Sequence, residues 1–344
     1  MKKDAYARAG VDVKKVSKIH GSLAEVLATT FSVRKGKFGT PLMGIGHYAG
    51  LIDIGGGKAL AMHTDGVGTK VQVAIQMNRF DTVGIDCVAM TVNDLISLGC
   101  EPVALLDYIA LEHEDESLVS ELMKGLVAGA EESSAAIVGG ETAIHGSAVK
   151  GFDLVSMGVG VVDRDKVIDG SAIVKGDRVI GVASSGLHSN GYTLARSVLL
   201  RSHSLGEEVP ELGKTLGEEL LTPTRIYVGP TLAALKRFEV HGIGHITGGS
   251  FTKLRRLVGG RKLGFDLHLP PAPPIFGMIQ REGALSDGDM LRTFNMGIGL
   301  CICAPREETE GIIRAYRRSG FKAHEVGVVT VGNGVRIGPL QLAP

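Results

Sequence analysis

The chain has no tryptophan, and aromatic residues make up 5% of its 344 positions. It therefore lacks the stacking platforms that grip single-stranded nucleic acid. It has no excess of either charge: Lys plus Arg is 37 and Asp plus Glu is 37, so no basic footprint for a polyanion exists. No apolar run approaches the ~20 residues that cross a bilayer. The stretch Met1–Val16 is polar and charged, without the apolar core of a secretion signal. Cysteine is scarce: Cys87, Cys100, Cys301 and Cys303 form no Cys-x-x-Cys pair, and no histidine cluster completes a metal site. Free buried thiols in a reducing cytoplasm are expected. These absences exclude a nucleic-acid binder, a membrane protein and a disulfide scaffold. A cytoplasmic globular protein acting on small molecules is left, and 344 residues predict two domains.

Glycine is plentiful, with 49 residues. The most informative stretch is Thr64-Asp65-Gly66-Val67-Gly68-Thr69-Lys70, after an apolar run Ala59–Met62 that reads as a strand. A carboxylate beside a glycine loop can hold a divalent cation, and the cation can hold phosphate. It is not a Walker loop, because the order is Gly-Thr-Lys and no upstream glycine has the required spacing. A glycine-rich turn with a solvated lysine is the plainer alternative.

The hydropathy pattern alternates strands and helices. A helix is expected near Leu23–Thr29, then a glycine-rich ordered loop and strand over Gly36–Gly57. Asp81 or Thr82 can cap a helix running to Leu98, closed by Gly99 and Pro102. Val103–Ala110 reads as a strand, Glu116–Glu132 as a helix capped by Asp115, Ala135–Val138 as a strand ending at Gly139-Gly140, and Leu154–Val162 as another. Asp163–Asp177 is polar and turn-rich, the best boundary. Beyond it, strands are expected at Arg178–Ala183, Gly242–Ile246, Gly264–Leu269, Gly297–Cys303 and Gly327–Val331. Helices are expected at Gly191–Arg201, Ile226–Arg237, Phe251–Leu257 and Arg306–Ser319. Two α/β (or α+β) domains follow, 1–168 and 169–344.

Several polar groups stand out. Asp86, Met90, Asn93 and Asp94 share one helical stripe, either a solvated face or a cation site. Glu141, after Gly139-Gly140, is expected at a strand end facing a ligand. Asp107 is a charge inside a strand. Ser184–Gly191 joins hydroxyls, glycines and a helix N-terminus, which suits phosphate or a simple cap. Arg225 follows the rigid Thr222-Pro223-Thr224 turn. His245-Ile246-Thr247-Gly248-Gly249 and Arg292–Gly297 are further polar loops at strand ends.

Taken together, Tyr6–Val13, Thr64–Lys70, Gly84–Asp94, Gly139–Thr142, Ser184–Tyr192, Thr222–Val228, His245–Gly249 and Arg292–Gly297 closely resemble the aminoimidazole ribonucleotide synthetases. These are the phosphoribosylformylglycinamidine cyclo-ligases, of the ATP-binding superfamily that includes selenophosphate synthetase and thiamine-monophosphate kinase. The resemblance implies an N-terminal sheet that forms a barrel with its homodimer mate, and a C-terminal layered α/β domain. It implies ATP-dependent cyclisation of formylglycinamidine ribonucleotide, with ATP phosphorylating the formyl oxygen and the amidine nitrogen closing the ring. It further implies Mg²⁺ held by Asp65, Asp94 and Glu141. ATP would lie against Gly44, Gly46, Gly50, Asp65, Gly66, Gly68, Thr69, Lys70, Asn93 and Asp107. Ser185, His188, Ser189, Asn190, Thr224, Arg225, Gly248 and Gly249 would bind the substrate, and His188, His245 and Lys70 would serve catalysis. Leu187 and Ser250 depart from the pattern, which has proline and glycine there. The loop Gly44–Gly50 carries fewer glycines than the pattern, and His47 and Tyr48 stand within it. A kinase of the thiamine-monophosphate type and a nucleotide sensor without turnover are the competing readings.

Overall fold

The computed structural model describes residues 13–342, so most of the Tyr6–Val13 segment lies outside the described residues. Among the described residues, β1 (Thr40–Pro41), β2 (Gly50–Gly55), β3 (Lys58–Gly66), β4 (Glu101–Leu111), β5 (Ala136–Ile144) and β6 (Phe152–Asp163) form one sheet in the order β1-β2-β3-β6-β4-β5. A small hairpin, β8 (Glu208–Val209) with β9 (Lys214–Thr215), lies apart. β7 (Arg178–Ala183), β10 (Gly242–His245), β11 (Leu263–Leu267), β12 (Ile298–Ala304), β13 (Ala323–Val331), β14 (Gly334–Ile337) and β15 (Leu340–Leu342) form the second sheet, ordered β10-β12-β7-β13-β11-β14-β15. The polar run 164–177 joins the two sheets.

The helix Val83–Ile96 positions everything else. All its residues except Ile85 are buried, because the first sheet, the helix Glu116–Ser133 and the second half of the chain enclose it. Glycine makes the helix pair possible: a Cβ on Gly84 would lie 2.4 Å from the Leu126 nitrogen. Thr91 and Ser156 join helix to sheet through a 2.5 Å hydroxyl contact. This face of the sheet is closed. The opposite face has no helix over it among the described residues and shows Leu106 and Tyr108 to solvent.

Local signals explain most elements. Asp115 caps the Glu116–Ser133 helix by accepting from Leu118 N–H, as expected. Gly99 has φ +75°, the left-handed turn required after the Val83–Ile96 helix. Four readings need correction. Neither Asp81 nor Thr82 caps that helix with its side chain; Thr82 has helical backbone angles, and Asp81 pairs with Arg79. Gly139-Gly140-Glu141-Thr142 lies inside β5 rather than beyond its end. The N-terminal helix spans Val13–Ala28. Residues 250–258 form a 3₁₀ turn and only four residues of α-helix. The helices Leu216–Leu221 and Asp287–Thr293 went unread, although Thr215–Glu218 and Ser286–Asp289 form capping boxes legible in the sequence.

Candidate active site

The acidic stripe of the Val83–Ile96 helix is neither solvated nor one cation site; each member has a different partner. Asp86 is wholly buried and lies 2.7 Å from Lys70 Nζ, itself wholly buried. Its other oxygen accepts from Thr224 N–H at 2.8 Å and the Thr224 hydroxyl at 2.5 Å. Burial pulls Lys70 below and pushes Asp86 above their ordinary pKa values, and their mutual attraction opposes both shifts. Asn93 donates to the Arg225 carbonyl at 2.8 Å and accepts from Tyr227 N–H at 2.9 Å. Met90 Sδ is 3.8 Å from Asn190 Nδ2.

Asp94 is buried between the two sheets. One oxygen lies 2.7 Å from His245 Nδ1, and the other 3.2 Å from His63 Nε2. His63 Nε2 is also 4.0 Å from Asp65 Oδ2. Burial works to raise Asp94, but His245, His63 and Lys253 prevail and hold its carboxyl below the ordinary range. With Nδ1–H donating to Asp94, His245 presents the lone pair of Nε2, a buried atom with no protein partner. An imidazole oriented by a carboxylate in this way can take a proton.

Asp65 and Asp94 thus flank one space. Glu141 does not join them within the chain. Its register partner is Tyr108, on the open face, whereas Asp65 and Asp107 both pair with Ser156 on the helix-covered face. β6 and β4 also lie between β3 and β5, a separation of roughly 14 Å at ~4.8 Å per strand. Among the described residues, no three histidine, cysteine or acidic groups converge as a metal cage. Asp107 is half-buried, and burial raises its pKa. Its carboxylate lies where a Cβ on Gly140 would be, 2.5 Å from that point, which explains the glycine.

Lys70 does not face a phosphate. Its three donors meet Asp86, the Thr222 carbonyl at 2.7 Å and the His188 carbonyl at 3.3 Å. Gly68 and Thr69 are exposed, and the Thr69 hydroxyl lies 3.1 Å from that of Thr193. The Gly44–Gly50 loop has Gly44, Gly46 and Gly50 in solvent, while Tyr48 is buried in the core of the second sheet.

Many hydroxyls of the second half are committed to the fold. Ser185 donates to Pro223 O at 2.5 Å, Ser189 to Val67 O at 2.7 Å, and Thr224 to Asp86. His188 is committed through one nitrogen: it is buried, its Nε2 accepts from Ser185 N–H at 3.2 Å, its Nδ1 has no protein partner, and burial drives its pKa well below the ordinary value. It is a neutral ring that shapes the loop. The groups left over include His188 Nδ1, Arg225 Nε, Asn190 Oδ1 and the Gly248-Gly249 amides. Arg225 stacks its guanidinium 5.1 Å from the Phe321 ring centroid, and its Nε has no protein partner. Asn190 Oδ1 lies 2.9 Å from the position of a Cβ on Gly248, so a side chain there would displace the Asn190 amide. Ser250 has φ +49°, the backbone that favours the glycine it replaces, and its hydroxyl secures it to Phe294 O at 2.6 Å. Sequence reasoning missed His63 and Lys253. Alternation along β3 could have found His63, which shares the face of Asp65.

Comparison with known proteins gives the family. Residues 46–162 match the family described as AIR synthase related protein, N-terminal domain, and residues 174–338 its C-terminal domain. A protein of Thermococcus gammatolerans named phosphoribosylformylglycinamidine cyclo-ligase is 46% identical over 96% of this chain and 97% of its own length. One of Methanosarcina barkeri with the same name is 47% identical over 98% of each. Among solved structures, a thiamine-monophosphate kinase from Stenotrophomonas maltophilia aligns at TM-score 0.61 and 18% identity, over 92% of this chain and 96% of that one. The E. coli hydrogenase maturation protein HypE aligns at TM-score 0.62 and 20% identity, over 83% and 85%. These two share the fold.

Proposed function

The chain belongs to the phosphoribosylformylglycinamidine cyclo-ligase family, and on that premise we propose that the cleft around Asp94 carries out ATP-dependent closure of formylglycinamidine ribonucleotide to aminoimidazole ribonucleotide. The observation that carries this is the buried Asp94–His245 pair, with a bare Nε2, set between an acidic β3 end and the arginine turn. Residues 1–168 serve ATP and 169–344 the ribonucleotide phosphate.

Asp65 and Asp94 suit Mg²⁺: two carboxylates flank one imidazole whose buried Nε2 has no hydrogen-bond partner, and Mg²⁺ takes few protein carboxylates alongside phosphate oxygens. The bound ion would neutralise charge on the transferred phosphoryl group. The exposed backbone of Gly44, Gly46, Gly50, Gly68 and Thr69 faces the nucleotide, while the half-buried Gly66 N–H donates to Asp65 at 2.8 Å and steadies that carboxylate. Arg225 and Asn190, with the Gly248-Gly249 amides, hold the ribonucleotide phosphate. His245 Nε2 accepts a proton from the amidine as its nitrogen attacks the phosphorylated formyl carbon, the carbon–oxygen bond to phosphate breaks and inorganic phosphate leaves, and Asp94 keeps the ring in the correct tautomer. The burial of His245 and Asp94 keeps water from that step.

The uncovered face of the first sheet supports a homodimer. Leu106 and Tyr108 on β4 are in row with Met157 and Val155 on β6, an apolar surface that a second copy would cover. Phosphate release from ATP is the direct test of function. Release only when formylglycinamidine ribonucleotide is present supports the reading. ATP binding without release would replace it with a sensor, and transfer of phosphate to thiamine monophosphate with a kinase.

A further inference from the structure

Lys70 and Asp86 belong to the first half of the chain, yet the other hydrogen bonds of their side chains all go to the second half. Lys70 holds the carbonyls of His188 and Thr222, and Asp86 holds the amide and hydroxyl of Thr224. Both side chains have no solvent exposure. The Lys70 ammonium also lies 5.6 Å from the Tyr192 ring centroid. A buried ion pair carries a desolvation cost that an apolar pair of equal size does not. It can, however, do what an apolar pair cannot, which is to fix the direction of carbonyls and amides.

The directions matter here. His188 has φ +65°, a left-handed backbone that a side chain of this size adopts only when surroundings enforce it. Lys70 holds the carbonyl on one side of that residue, and Ser185 N–H holds its ring on the other. Two residues further on is Asn190. Thr224 immediately precedes Arg225. The pair therefore grips two separate loops, one next to Asn190, the other next to Arg225, whose Nε has no protein partner.

We propose that the Lys70–Asp86 pair is a positioning device that sets the Ser184–Asn190 loop and the Thr222–Arg225 turn against each other to receive the ribonucleotide phosphate. This rests on the function proposed above. It gives the lysine of the Thr64–Lys70 motif a task for the other domain's ligand, in place of the ATP phosphates.

Lys70→Met alone strands a buried carboxylate, so the informative variant is Lys70→Met with Asp86→Asn. In it, the amide oxygen introduced at position 86 can still accept from Thr224, while the carbonyls of His188 and Thr222 are released. Calorimetric titration should show formylglycinamidine ribonucleotide bound at least ~10-fold more weakly, with Mg·ATP affinity changed by less than ~3-fold. Amide hydrogen exchange, which needs no ligand, should speed up at 185–190 and 222–225 and stay unchanged in β3 and β6. Unchanged exchange in both loops overturns the proposal whatever the titrations give. Equal loss of both ligands overturns it too, because that marks general destabilisation. If the unmodified protein binds no ribonucleotide, the functional reading fails, and hydrogen exchange still decides whether the pair sets the loops.

Discussion

Asn93→Leu separates a bracket from a ligand contact. The resemblance gives Asn93 to ATP, whereas its amide spans the backbone of the arginine turn, 2.8 Å from the Arg225 carbonyl and 2.9 Å from the Tyr227 nitrogen. Leucine has nearly the same shape and can make neither bond. A buried carbonyl and a buried N–H would each lose a partner, at about 1–3 kcal/mol apiece, so the total is about 2–5 kcal/mol after some relief from added apolar burial. Unfolding by denaturant should report that loss as a lower midpoint at unchanged slope. Because Arg225 hangs on the same turn, ribonucleotide affinity should fall as well, while Mg·ATP affinity holds. A variant of wild-type stability that had lost ATP binding would refute this reasoning and return Asn93 to the nucleotide.

Arg225→Ala should weaken ribonucleotide binding by about 2–4 kcal/mol, the scale for a desolvated charge-assisted contact, and leave ATP binding alone; separate calorimetric titrations decide it. Asp94→Asn removes a metal charge and the acceptor that orients His245, so turnover should nearly vanish in a folded protein; near-normal activity at saturating Mg·ATP would sink the site. Leu106→Asp should turn a dimer into a ~36 kDa monomer by light scattering, since the charge would enter the apolar sheet face. A wild-type monomer at micromolar concentration would contradict the barrel. Burial lowers the His241 pKa, but its bonds to Asp177 and Glu239 prevail and raise it above the ordinary value of about 6.5. A raised folded value stabilises fully below pH ~6.5 and is lost as pH rises through that folded value. His241→Gln should therefore cost stability in mildly acid solution and little at alkaline pH, as denaturant titrations across pH would show.

How far the site could be read in advance differs between its parts. The turn that carries Arg225 was legible because proline fixes it locally, whereas the stacking of its guanidinium on Phe321, nearly a hundred residues away, was not. Lys70 was misread because nothing within seven residues reveals that its partners are Asp86 and two carbonyls more than a hundred positions away. Glu141 was misplaced for a related reason. Two glycines look like a break, but here one of them makes room for Asp107 inside a continuous strand.

The sequence by itself determined the periodic elements, the Asp115 cap, the Gly99 stop, the two α/β sheets and the family, since each follows from neighbouring residues or from motifs in order. Only the tertiary structure decided what each polar residue of the Val83–Ile96 helix is for. Helical spacing places Asp86, Asn93 and Asp94 on one side. Their partners, Thr224, Arg225 with Tyr227, and His245, lie 132 to 151 residues along the chain. Which carboxylate meets a lysine, which a backbone and which a histidine depends on how the second sheet docks, and no local pattern encodes that.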